Sequence, residues 1–397
     1  MEKIKIKNVL ISGKIKDILI SEGKLQKIKR NIKEKADIEI KEKKLAAFPI
    51  FFNMHTHLSM TLFRGIGDDL PLKKWLRFKI WPRELLLNEK KIREGSEIGI
   101  RELKRTGCAF FCDMYWFPYE TAKIVIKHKV GAILGIPFFD KAPLIFSKKT
   151  ALKNFYQLKK TIKNYPFIKI AIAPHAIYTV SKNNLIWAKE FANKNNLYFH
   201  IHLSETKEEV EFCKKKYGMR PVEFLDKLKV LDKKTILAHC VHLNDKEIKI
   251  LGKRKCLVVY CPCSNMKLGV CGTMPFKKLK KENALVGLGT DGPASNNSLD
   301  MFEEMKMGAL LQKHSSCKPE EIKAKEIFES ATKVPAEFLE MKNEIKERYP
   351  ANLVLIDLSL EEFSKGKDLI SHLVYSTNYN CVKYLFFNGN LVYKKEQ

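Results

Sequence analysis

Four short stretches carry the residue types that bind metals and move protons: His55-Thr56-His57, His200-Ile201-His202-Leu203-Ser204-Glu205, His239-Cys240-Val241-His242 and Gly287-Leu288-Gly289-Thr290-Asp291-Gly292. On an extended backbone, residues i and i+2 point to one side, so both imidazoles of a His-x-His pair can reach one ion. Imidazole is the commonest side-chain ligand for zinc and similar metals. Of His200 and His202, one can complete a three-histidine set while the other is a hydrogen-bonded structural residue. Glu205 follows by a short step, where a carboxylate can shuttle protons. Asp291, presented after a glycine-containing strand, suits a metal ligand or a base. Each stretch alone also reads as an ordinary hydrogen-bonded strand end. Four of them in one chain are harder to assign to chance.

The elements that must position these residues are legible as an alternation. Apolar runs at Phe48–Met54, Cys108–Cys112, Gly131–Ile136, Ile168–Ala173, Tyr198–Ile201, Thr235–Ala238, Leu257–Tyr260 and Ala284–Gly289 read as eight strands. Helix signals fall between them: Thr206-Lys-Glu-Glu209 reads as a capping box and Asn244-Asp-Lys-Glu247 as a looser one. This βα alternation predicts a (β/α)8 TIM-like barrel of the α/β class, with the His and Asp residues at the C-terminal ends of strands, the face where such barrels do chemistry. The two ends of the chain look different. Residues 1–50 read as short strands with turns at Ser12-Gly13 and Glu22-Gly23. Residues 345–397 read alike, with strands at Asn352–Asp357 and Val382–Val392 and a turn at Asn388-Gly389. The expectation is a barrel over 51–344 and one small β-sandwich built from both ends.

Composition narrows the functional class. The formal charge is +28, which invites a nucleic-acid reading, but only 10 of the 73 basic residues are Arg and the Lys are spread along the chain. Solvated helix faces explain them, and no nucleic-acid partner is expected. The 10 Cys lack framework spacing, which predicts a reducing compartment, and Cys261-Pro262-Cys263 lacks the spacing of zinc clusters. The N-terminus alternates charge and apolar residues like a strand rather than a signal peptide. The apolar stretch Val130–Phe139 is too short to span a bilayer. A cytoplasmic protein with no membrane partner is expected.

Longer blocks make a resemblance specific. They include Met60-Thr-Leu-Phe-Arg-Gly65, Asp68-Asp-Leu-Pro71 with Trp75-Leu76, Trp81-Pro82 with Glu84, Pro174-His175, His202-Leu-Ser-Glu205-Thr, Ala238-His-Cys-Val-His-Leu243, Ser264-Asn-Met-Lys-Leu268 and Ser295-Asn-Asn-Ser-Leu-Asp-Met-Phe-Glu-Glu304. Together with the His and Asp signature, they resemble the amidohydrolase superfamily, and within it the methylthioadenosine/S-adenosylhomocysteine deaminases, with 5′-deoxyadenosine deaminases as close relatives. The likeness covers nearly the whole chain. It implies that His55, His57, His202 and Asp291 hold one divalent metal, zinc first and iron or manganese as alternatives. It implies that Glu205, His239 and Asp291 serve the proton transfers and that Glu84, His175, Trp75 and Glu205 bind substrate. The implied reaction replaces the 6-amino group of an adenosine-type nucleoside by oxygen, releasing ammonia. Binuclear relatives carry a modified Lys at the end of the fourth strand; here Ala173-Pro-His175 stands there, which implies one ion. The zinc site of cytidine deaminases needs H-x-E with P-C-x-x-C, and this chain has neither. By analogy, a homo-oligomer is expected.

Three departures from the pattern bear on specificity. Relatives that take S-adenosylhomocysteine commonly carry an Arg just before the third strand, where this chain reads Lys129-Val-Gly131-Ala132. Lys129 or Lys141 could replace it; otherwise a small apolar 5′ group is favoured. Tyr260-Cys-Pro-Cys-Ser264 replaces the usual His-Asn-Pro and could reshape the pocket wall. Lys333-Val-Pro-Ala336 and Ala351-Asn-Leu353 also differ, in places expected to affect packing. Competing readings are a superfamily member acting on guanine, a triazine or aminofutalosine, and a catalytically idle nucleoside-binding relative.

Overall fold

The computed structural model describes residues 2–140, 147–366 and 368–396. Eight parallel strands form its centre: β1 (Phe51–Thr56), β2 (Cys108–Met114), β3 (Gly131–Phe138), β4 (Ile168–Pro174), β5 (Tyr198–Leu203), β6 (Thr235–His239), β7 (Leu257–Tyr260) and β8 (Leu285–Leu288). They pair in sequence order from β1 to β8. Nearly every residue in them is buried, as expected when helices cover one face and a barrel interior the other.

Side chains and single backbone bonds close the barrel where ladder pairing stops. The Asp291 N–H donates to the His55 carbonyl at 2.9 Å. The Asn53 amide donates to Thr290 Oγ1 at 2.7 Å and accepts from the Thr290 N–H at 3.0 Å. Gly289 is required here: a Cβ on it would lie 2.8 Å from the His55 nitrogen. The seam thus locks the first and last site-bearing strands together.

Between strands, helices start where the sequence offers caps. Thr206 caps Lys207–Tyr217 by accepting from the Glu209 N–H at 3.2 Å, but the Glu209 carboxylate reaches the Glu205 N–H, at 3.0 Å. The reciprocal box expected there is instead complete at Asn244 and Glu247, with bonds of 2.9 and 3.0 Å, opening Asp245–Arg254.

Both chain ends contribute to one further sheet of eight strands. Its path runs from Asn390–Lys394 through Val382–Phe387, Leu353–Asp357, Leu45–Pro49, Ile4–Ile11 and Lys14–Ser21 to Lys24–Lys29, with Ile38–Ile40 beside Ile4–Ile11. The sheet curls so that Ile6, Ile18, Leu25, Leu353 and Phe386 share a core separate from the barrel's. Two sequence-predicted turns meet at the far ends of this path: a Cβ on Gly389 would stand 2.4 Å from the Gly23 Cα. The run read as one strand from Phe48 to Met54 is divided at Ile50 between the two sheets. The C-terminal segment also returns the helix Leu369–Tyr375 to the barrel, where Leu373 and Val374 join the main core. Among the described residues, no helix is long and apolar enough to cross a membrane.

Candidate metal centre and pocket

Strand ends bring the polar residues together. His55 is in β1 and His57 directly follows it; His202 is in β5 and His239 ends β6; Asp291 lies three residues beyond β8. Asp291 Oδ1 is 3.3 Å from His55 Nε2 and 3.2 Å from His57 Nε2. His57 Nε2 and His202 Nε2 are 3.3 Å apart. Ligand atoms of His55, His202, His239 and Asp291 all lie within 4.8 Å of one another. Five side chains therefore surround one point.

The outer ring nitrogens orient these imidazoles. His57 Nδ1 donates to the Met114 carbonyl at 2.7 Å and His202 Nδ1 to the His175 carbonyl at 2.8 Å. A carbonyl only accepts, so each Nδ1 carries the proton and each Nε2 offers its lone pair to the centre. His55 Nδ1 lies 3.0 Å from His200 Nε2. His55 Nε2 is buried without an aligned hydrogen-bond partner. A lone pair aimed at an anion, amid two others, is an arrangement a cation completes; the donor set fits a divalent metal.

The electrostatics pair Asp291 with a second proton on His57 Nε2, the positive charge that a cation would displace. Burial opposes ionisation of Asp291, but His55 and His57 outweigh it and hold the carboxyl well below its usual range. Burial works to lower His57 as well, yet Asp291 overrides it and raises the imidazole to about 9. Burial pulls His55 down to about 4 against the same carboxylate. Asp291 Oδ2 is turned away from the histidines and accepts from Ser264 Oγ at 2.6 Å and Ser295 Oγ at 2.9 Å. Asp291 and His239 hold φ of 60° and 73°, in the left-handed region.

Beside this centre stands an acid–base pair. His239 Nε2 is 3.8 Å from Glu205 Oε1, and His239 Nδ1 donates to Asn265 Oδ1 at 2.8 Å. Burial pushes the Glu205 carboxyl up, with His239 opposing.

One pocket opens over both, lined by His57, His175, His202, Glu205, His239 and Asp291 at its floor and by Glu84 and Trp75 above. Of the residues that the resemblance assigns to metal, proton transfer or substrate, all but the fully buried His55 thus border one cavity. Glu84 ends a run of short helical turns, Leu58–Phe63, Leu72–Trp75, Leu76–Ile80 and Trp81–Glu84. Burial pushes its carboxyl up, against hydrogen bonding from Trp116 and Tyr115. Burial drives His175 down to about 3, so its ring is neutral.

The sequence reading missed the aromatic wall. Trp116 stacks on Phe139 at 5.5 Å between centroids, and Phe139 stacks on His175 at 4.6 Å. Trp116 and Phe139 follow β2 and β3 directly, and that strand-end position was the available signal. Lys129 is corrected as a substrate contact. It is exposed and caps the helix Pro118–His128 before β3, at the barrel end opposite the pocket, roughly 25 Å away along that strand. Lys141 lies outside the described residues. Neither Cys261 nor Cys263 lines the pocket; the helix Pro262–Lys267 reaches the site through Ser264 and Asn265. The variant Asn352 serves packing, bonding the Lys342 carbonyl at 3.2 Å and the Asn388 N–H at 2.8 Å.

Comparison with known proteins agrees with this architecture. The amidohydrolase family model matches residues 46–392. The chain is 41% identical over 380 residues to a 5-methylthioadenosine/S-adenosylhomocysteine deaminase of Pyrococcus furiosus, covering 95% of this chain and 90% of that one. It is 41% identical over 399 residues to a 5′-deoxyadenosine deaminase of Methanocaldococcus jannaschii, covering 98% and 93%. Among solved structures, an adenosine deaminase from Xanthomonas campestris with bound zinc superposes with a TM-score of 0.91 at 28% identity, covering 98% and 92%. Barrel, strand-end histidines and family match converge: the chain belongs to the amidohydrolase family.

Proposed function

We propose that the protein hydrolytically deaminates an adenosine-type nucleoside at one divalent metal, zinc by preference, giving the inosine analogue and ammonia. The observation that carries this reading is the approach of His55 and His57 Nε2 to Asp291 Oδ1, with His202 Nε2 against that of His57, beside the Glu205–His239 pair. The names of the relatives at about 40% identity support the substrate class.

His55, His57, His202 and Asp291 would hold the ion, because their ring tautomers or charge leave a free donor atom facing it. When bound, it supplies Lewis acidity that lowers the pKa of a water. His239 has its Nδ1–H tied to Asn265, so its Nε2 lone pair can take the proton that water gives up. Glu205, whose burial favours the protonated form, can deliver a proton to purine N1 as electron density builds there. Water adds at C6 and the amino group departs with the second proton as ammonia. Glu84 accepts from the ribose hydroxyls, a pairing that favours a carboxylate over a neutral side chain. The neutral His175 and the Trp116–Phe139 stack enclose the nucleoside.

The 5′ substituent is small and apolar in this reading. Leu72, Trp75, Leu76, Trp81 and Leu268 complete the wall, and no Lys or Arg is among the described residues that line it. The 10 cysteines, all unpaired, suit a cytoplasmic setting. Initial rates on 5′-methylthioadenosine, 5′-deoxyadenosine, adenosine and S-adenosylhomocysteine test the proposal. Turnover fastest on the first two supports it, whereas no turnover of any purine nucleoside would remove it.

A further inference from the structure

The three histidines proposed as ligands do not end alike on their outer sides. His57 and His202 terminate on backbone carbonyls, which fix their tautomers. His55 terminates on a second imidazole, that of His200, with Nδ1 and Nε2 3.0 Å apart and the rings at 83°. Behind it, His200 Nδ1 stands 3.4 Å from Cys112 Sγ. All three side chains are fully buried inside the barrel, on β1, β5 and β2.

A neutral imidazole has one N–H and one lone pair, so the protons of this chain can be counted. His200 has an imidazole at one ring nitrogen and a thiol at the other, and among the described residues no carboxylate pairs with it. If His200 carries its proton on Nε2, it donates to His55 Nδ1. His55 then carries its proton on Nε2, aimed at Asp291, and that ring cannot ligate an ion. If His200 carries its proton on Nδ1, toward Cys112, its Nε2 accepts from His55 Nδ1–H and the His55 Nε2 lone pair faces the centre. Only the second arrangement is compatible with metal.

We infer that His200 is a positioning residue for the metal centre, setting the tautomer of His55 as the one ligand whose outer partner can either donate or accept, with Cys112 as the end of the chain. This inference rests on the reading of His55 as a ligand. Binding of the ion selects the Nδ1-protonated His200, and His200 in turn orients and strengthens the His55 donor. The other two rings are oriented by carbonyls, which only accept and so leave a single arrangement.

The test uses the full-length protein, zinc as the probe and competition with a chromogenic chelator as the readout, in parent, His200→Phe and His200→Gln. Phenylalanine fills the space without accepting, whereas the glutamine oxygen accepts the His55 N–H. The expected result is zinc binding weakened roughly 10–100-fold in His200→Phe and recovered to within about threefold of the parent in His200→Gln. Equal zinc affinity in His200→Phe and parent overturns the inference. So does an equal loss in both variants matched by equal drops in the melting temperature of the zinc-free proteins, which is a packing effect. Nitrogen NMR of the imidazoles in the zinc-loaded parent decides the matter if a variant does not fold. A protonated His55 Nδ1 facing an unprotonated His200 Nε2 supports the inference, and a protonated His200 Nε2 contradicts it. Failure of the parent itself to bind zinc would instead sink the proposed metal centre, which separates the two readings.

Discussion

His239 Nε2 and Glu205 Oε1 face one another across 3.8 Å at the ends of the adjacent strands β6 and β5, both buried beside Asp291. The gap is wider than a hydrogen bond. The His239 ring is held through Asn265, and the Glu205 backbone through its N–H to the Glu209 carboxylate at 3.0 Å. Two titratable groups fixed in place but not bonded to each other are free to exchange protons with a third party.

Replacing Glu205 by Gln keeps the shape and removes the exchangeable proton. The variant should retain its metal, measured by elemental analysis, while kcat falls by roughly 10²–10⁴. A near-parental rate with methylthioadenosine would take the proton-delivery role away from Glu205.

Removing one imidazole from the cluster acts on the other half of the site. His57→Ala deletes a ring whose Nε2 approaches both Asp291 and His202, at 3.2 and 3.3 Å. The purified variant should contain far less than one equivalent of metal under conditions that saturate the parent. Full metal content would show that the ligand set is drawn from the remaining histidines, His239 included.

Glu84 is asked to read ribose. A hydrogen bond to a charged group contributes about 1.5–3 kcal/mol, so Glu84→Ala should lower kcat/KM for nucleosides by roughly 10–100-fold. The loss should be much smaller with the free base adenine. Equal losses on both substrates would argue for a packing role at the end of the Trp81–Glu84 turn.

Stability should depend on pH through Glu304, a fully buried acid behind the site that burial pushes up to about 8. Its ordinary value is 4.5, so the folded state binds the proton more tightly than the unfolded chain. The contribution is fully present below the ordinary value and is lost as pH rises through the folded one. Within that window the slope is at most about 1.4 kcal/mol per pH unit. Melting temperatures of the metal-free parent should fall from about pH 5 to about pH 8 more steeply than those of Glu304→Gln, and level off above it. Parallel curves would mean that Glu304 is ionised in the fold.

Much of this was legible in the sequence because parallel strands buried on both faces leave continuous apolar runs, and because catalytic side chains sit where those runs stop. The eight barrel strands and the strand-end places of His55, His57, His239 and Asp291 follow from that pattern, whereas the choice of His202 over His200 came from the family resemblance. What escaped had a physical reason. Residues Phe48–Met54 show no break in hydrophobicity, since both sheets bury them, so the division at Ile50 is invisible in composition. The Glu209 carboxylate could serve either of two neighbouring N–H groups, and spacing alone does not say that it takes that of Glu205. Trp116 and Phe139 belong to strand-end loops, where aromatic residues have no periodicity to betray which way they face. Lys129 read as a candidate only until the direction of β3 placed it at the other end of the barrel.

The central claim is that one ion among these histidines makes a nucleoside deaminase. The most direct measurement follows the ultraviolet change from adenine to hypoxanthine in 5′-methylthioadenosine, using protein as purified, after exhaustive chelation, and after one equivalent of zinc is returned. The account predicts turnover, its loss, and its recovery at a single equivalent. Undiminished turnover in the chelated protein, verified metal-free by elemental analysis, would contradict it.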